Sequence, residues 1–90
     1  MSAPREVNLV SVRKLRRNKH NPRTHSKKQI RQIANCILRF GWTYPILIDE
    51  NGVILAGHGR HEAALLLSVR EVPVIVVAGL SDAEKRALAL

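Results

Sequence analysis

Apolar and polar positions alternate along this chain in a way that divides it into seven short elements and one helical turn. Val7-Asn8-Leu9-Val10 reads as a first strand, and Val12 to Leu15 as a single helical turn that packs Val12 and Leu15 inward. Ile30, Ile33, Ala34, Ile37 and Leu38 recur at i, i+3, i+4, i+7 and i+8, the stripe of an amphipathic helix. Ser26 and Gln29 give that helix a capping-box start, and Gly41 suits a left-handed end. Ile46 to Glu50 and Val53 to Leu55 flank Asn51-Gly52, a strong hairpin signal. An Ala/Leu-rich helix follows, reaching about Leu67 and expected to bury Ala63, Ala64, Leu66 and Leu67. Val72 to Val77 is a β-branched strand whose Pro73 sits near the start, where a ladder donor can be spared. Ser81-Asp82-Ala83-Glu84 is a second capping box, opening a helix that runs to Leu90.

The predicted order is β-α-β-β-α-β-α, an α+β fold with a small mixed sheet. Ninety residues support one modest core, so residues 1–90 are read as a single domain, and a helix that opens well and stops at Leu90 suggests a piece of a longer protein. Phe40, Trp42 and Tyr44 are the three aromatics, with Trp42 expected to cap the core beneath Phe40. A single cysteine, Cys36, excludes an internal disulfide and fits a reducing cytoplasm, and it lies off the apolar stripe. No apolar run approaches a membrane span, so no membrane partner is expected.

Charge changes the picture. Residues 1–40 carry eleven Lys and Arg against Glu6 alone, a balance of +10, while residues 41–90 balance at −2. Arg13, Lys14, Arg16, Arg17, Lys19, Lys27, Lys28 and Arg31 are therefore candidate nucleic-acid contacts, with a solvated basic surface as the plainer alternative. Stacking aromatics are not interleaved among them, which argues against single-strand base readout.

The stretch with the most specific chemistry is Ala56-Gly57-His58-Gly59-Arg60, between an apolar strand and a helix. A glycine turn there exposes the helix's first N–H groups and the positive end of its dipole, and Arg60 adds a planar fork suited to phosphate oxygens. A cation in a first turn opposes the dipole, which favours an anionic guest. The spacing matches neither the Rossmann fingerprint nor a P-loop. His58 and Glu62 are weak catalytic candidates: an imidazole that relays a proton, and a carboxylate that acts as base or holds Mg²⁺, or merely favours the dipole. His58 and His61, three apart, make a poor zinc site without a third ligand, so no metal site is expected. Asp49 and Glu50 are expected to face solvent, and no carboxylate cluster able to hold two metals is visible.

These residues resemble the ParB N-terminal domain of the ParB/sulfiredoxin-like fold, in Asn21-Pro22-Arg23, Gly57 to Ala64, Val72-Pro73-Val74 and Leu80 to Glu84. The fuller wording Arg23 to Ile30, Ile48 to Gly52 and Ala56 to Arg60 looks most like the branch fused ahead of DNA methyltransferases, often on phages or mobile elements. The resemblance implies a CTP- or ATP-like nucleoside triphosphate with Mg²⁺, its phosphates on Gly57, His58, Gly59 and Arg60 and a closing loop supplying Asn21 and Arg23. It also implies that Thr43 lies near the base, that DNA is a partner, and that a homodimer of the full-length protein is compatible with it. His58 and Gly59 depart from the family's usual Gly-Glu-Arg-Arg, which puts CTP specificity and hydrolysis in question. Sulfiredoxins carry their catalytic cysteine where His58 stands, which argues against that repair chemistry. The reading is a binding or switching module of a cytoplasmic DNA-acting protein. A DNA-backbone docking module without nucleotide, and a phosphotransferase or nucleotide hydrolase, stay open beside it.

Overall fold

The computed structural model describes residues 5–18 and 25–88. Strand β1 (Asn8–Ser11) runs into a 3-10 turn over Val12–Lys14. Helix α1 (Lys27–Phe40) precedes strands β2 (Ile46–Ile48) and β3 (Ile54–Ala56), then helix α2 (His58–Leu66), strand β4 (Glu71–Val76) and helix α3 (Asp82–Leu88). The expected α+β order is present. The four strands form one mixed sheet ordered β1-β4-β2-β3, with β4 parallel to β2 and antiparallel to β1.

Pairing register decides which side chains share a face. Val72, Val74, Ile46, Ile48 and Ile54 lie on one side of the sheet and form its core with Val12, Leu15 and Ala64. A second cluster, Ile30, Ala34 and Ala63, joins α1 to α2. Helix α2 therefore bridges both clusters with two neighbouring alanines, whose small side chains let it approach the sheet and α1 together. Pro73 is tolerated in a central strand because β2 pairing starts one residue later, at Val74.

Both capping boxes are formed. Ser26 Oγ accepts from the Gln29 N–H at 3.1 Å and Gln29 Oε1 from the Ser26 N–H at 3.0 Å, with matching distances at Ser81 and Glu84. Val12 and Leu15 are buried as expected.

Several expectations are corrected. Leu38 is 69% exposed, because it falls past Ala34 on the helix circumference, beyond the edge that α2 covers. Leu66 is also exposed: Ala63, Ala64 and His61 set the buried arc of α2 and leave Leu66 on its flank. Phe40 points outward with the Arg39 guanidinium 5.1 Å from its ring, while Trp42 packs on the sheet core without it. Asp49 does not face solvent. It is 3% exposed, its Oδ1 accepts from the N–H groups of Asn51 (2.8 Å) and Val53 (2.9 Å), and Lys85 of α3 reaches its Oδ2 at 3.0 Å. Buried like this, the carboxylate is the fastener of the β2–β3 turn and ties α3 to it. Glu50 is exposed.

Candidate functional site

The site begins with an irregularity in the hairpin. Ile48 pairs with Ile54 and Leu47 with Ala56, so Leu55 is an extra residue in β3 with no partner of its own. Its side chain is fully buried, and the bulge re-aims the chain just before the turn into α2. Gly57 then takes φ +101°, a left-handed value suited to glycine, and a Cβ there would press on Ile46 at 3.3 Å. Gly57 is the N-cap of α2 and offers no side chain to close it. The N–H groups of Gly59 and Arg60 therefore have no intrahelical acceptor, at the positive end of the helix. Gly59 is needed for space: a Cβ would stand 2.8 Å from Ile33 Cδ1 and 3.2 Å from the His25 ring.

This turn forms one end of a cleft of 570 Å³. Helix α1 supplies one wall through Gln29, Gln32, Ile33, Cys36 and Ile37, preceded by His25; Gly41, Thr43 and Tyr44, with Leu88 of α3, complete the lining. Arg60 lies on the cleft with its guanidinium 4.9 Å from the centre of the Tyr44 ring. The ring holds the cation in place without neutralising it, and among the described residues no carboxylate pairs with Arg60 or lines the cleft.

The two histidines of the turn go separate ways. His58 lines the cleft, half-buried, and burial pushes its pKa below the ordinary value, helped by the charges of His61 and His25 and opposed by Glu62. His61 is buried against the core and bonds the Val12 carbonyl; burial and then Arg17 lower its pKa. His61 thus pins α2 to the 3-10 turn and is not a ligand to the cleft.

Of the candidate residues, the fold brings together Thr43, Gly57, His58, Gly59 and Arg60. Glu62 is elsewhere, in an ion pair with Arg17 at 3.3 Å. Arg13, Lys14 and Arg16 stand exposed on and after the 3-10 turn, and Lys27, Lys28 and Arg31 on the outer side of α1. Lys19, Asn21 and Arg23 lie outside the described residues. Among the described residues no group of three His, Cys, Asp or Glu is placed to hold a metal ion, and no helix is long and apolar enough to cross a membrane. Sequence reasoning missed His25, Gln29, Gln32, Cys36 and Tyr44. The signal was faint: Gln32 and Cys36 sit four apart, beside the apolar stripe but not in it.

Residues 1–90 match the family described as the ParB N-terminal domain. The chain belongs to this family. It is 55% identical over 67 residues to the ParB-like nuclease domain-containing protein YnaK of Escherichia coli strain K12, covering 74% of this chain and 77% of that protein. Its fold superposes with a TM-score of 0.84 on the C-terminally truncated chromosome-partitioning protein ParB from Caulobacter crescentus in complex with CTP-γ-S, at 25% identity, covering 93% of this chain and 50% of that one. Sulfiredoxin from Arabidopsis thaliana shares the fold alone, with a TM-score of 0.75 and 18% identity over 94% of this chain and 99% of that one. The chain spans 25% of the length of the Rickettsia typhi partitioning protein it matches.

Proposed function

We propose that this domain binds a nucleoside triphosphate of the CTP or ATP type in the cleft, as a module of a DNA-acting protein. The observation that carries the reading is the uncapped start of α2. Two glycines there keep side chains away, amide donors and Arg60 face a cleft free of acids among the described residues, and the fold matches a ParB seen with CTP-γ-S. The phosphates belong at Gly57, His58, Gly59 and Arg60, where backbone N–H groups and a guanidinium converge. The sugar and base then lie along α1 towards Thr43 and Tyr44. Asn21 and Arg23, which precede α1 in the sequence, are further phosphate contacts in this proposal.

Arg60 is the one permanent cation among the described lining residues, too little for a triphosphate of several negative charges. Mg²⁺ carried in with the nucleotide supplies the balance, with no protein carboxylate needed to hold it. Glu62 pairs with Arg17 and does not line the cleft, which leaves His58 as the sole catalytic candidate there and favours a binding or switching module in this proposal. Metal-dependent nuclease chemistry, suggested by the name of YnaK, finds no carboxylates in the cleft among the described residues. For the parent protein, the methyltransferase-fused context rests on the wording of Arg23 to Ile30, Ile48 to Gly52 and Ala56 to Arg60 alone. The relatives named above are ParB and ParB-like proteins and lend it no support.

Calorimetric titration of the chain with CTP, ATP and GTP, each with Mg²⁺, tests the reading. At least one binds, and Arg60→Ala weakens that binding by roughly 10- to 150-fold, the loss of a charged hydrogen bond, while the melting temperature holds. Absence of heat at millimolar nucleotide overturns the proposal.

A further inference from the structure

The circumference of α1 divides into three arcs. Ile30 and Ala34 face α2, and Gln32, Ile33 and Cys36 face the cleft. The remaining arc, about 120° wide at 100° per residue, carries Lys27, Lys28, Arg31 and Arg39 and no acid. All four are exposed, and none forms an ion pair among the described residues. Lys27 and Lys28 occupy the first turn, where their charge opposes the helix dipole and acids would serve stability better.

In the other basic stretch Arg17 pairs with Glu62 at 3.3 Å, while Arg13, Lys14 and Arg16 are exposed without an ion pair among the described residues but sit on a short 3-10 turn and the segment after it. The cations of α1 instead run along one rigid rod for about 18 Å, with no neighbouring acid on the helix. A polyanion of regular charge spacing fits such a row. One aromatic, the exposed Phe40 under the Arg39 guanidinium, stands at the end of the row, and Lys27, Lys28 and Arg31 have no ring among them, which favours a duplex over a single strand.

We propose that the outer arc of α1, through Lys27, Lys28 and Arg31 with Arg39 two turns on, docks the phosphate backbone of duplex DNA. This inference rests on the DNA-acting part of the proposed function. It places the duplex and the nucleotide on adjoining arcs of one helix, so that each ligand bears on the same rigid element.

The test is binding of a labelled 25-base-pair duplex of random sequence across 50–200 mM salt, using the full chain and two triple variants. Lys27→Ala/Lys28→Ala/Arg31→Ala is expected to flatten the slope of log affinity against log salt by about 2–3, alike for all sequences, with helicity and nucleotide affinity retained. If Arg13→Ala/Lys14→Ala/Arg16→Ala flattens the slope and the α1 variant does not, the inference fails while DNA binding stands. If the unaltered chain fails to bind duplex at 50 mM salt, both fail. Tighter binding to single strands or to vesicles of anionic phospholipid than to duplex also overturns it.

Discussion

One methyl group separates packing from chemistry at the turn into α2. Gly59→Ala places a Cβ 2.8 Å from Ile33 Cδ1 and against the His25 ring, so these side chains must repack to admit it. Overpacking of this kind costs about 1–3 kcal/mol, and thermal unfolding is expected to show the loss together with weaker nucleotide binding. Arg60→Ala differs in losing ligand and keeping stability. Asp49 acts far from the ligand. Burial pushes its carboxyl upward, but the N–H groups of Val53 and Asn51 and the Lys85 ammonium outweigh that and hold its pKa below the ordinary value. Asp49→Ala strips the turn of both bonds and α3 of its tie, a loss of about 1.5–3 kcal/mol in chemical denaturation. Asp49→Asn retains one acceptor oxygen and costs less. A small change at Asp49→Ala shows that the turn closes without this carboxylate. Nothing in the alternation around Asp49 marks it as buried; only the fold, by setting α3 beside the hairpin, supplies its lysine.

Helix α1 shows what a local pattern conveys and what it leaves out. Its start is written in Ser26 and Gln29, and its inner face in Ile30, Ala34 and their neighbours. Ser26→Ala is expected to cost about 1 kcal/mol, read as a lower denaturation midpoint with an unchanged slope, because the Gln29 N–H loses the Ser26 Oγ acceptor while Gln29 Oε1 still accepts from the backbone N–H of residue 26. An unaltered midpoint shows that packing against α2 sets the start of the helix without the cap. The cleft-facing arc was not legible, since Gln32 and Cys36 are no different in kind from solvated residues until Gly57–Arg60 stands opposite them. Leu38 was misread for the complementary reason: a stripe shows which residues can be buried, and the width of the neighbouring helix decides which are. The bulge at Leu55 was hidden too. Val53, Ile54 and Leu55 are all apolar, so no break in alternation marks the extra residue.

For the molecule as a whole, strand order lay beyond local reading, because insertion of β4 between β1 and β2 depends on pairing across more than sixty residues. The charge balance was legible, and it carries a consequence for acid stability. His58 and His61 both have pKa values lowered in the fold, chiefly by burial, whereas in the unfolded chain each titrates near 6.5. Below that value the unfolded state binds protons that the native state refuses, so stability falls with pH. The contribution is complete above about pH 6.5 and is lost as pH drops from there through the lower native values. New positive charge also arrives on a chain already at +8, and self-repulsion acts in the same direction. Asp49 acts in a separate window, its stabilisation present above about pH 3.9 and lost below, so the two limbs are resolvable. The melting temperature is therefore expected to fall between pH 7.5 and pH 5.5, and 0.5 M salt recovers only the share due to net charge. His58→Gln removes part of the slope, and the remainder belongs to His61 behind the Val12 carbonyl. A melting temperature flat over that interval shows that neither imidazole is held neutral by the fold.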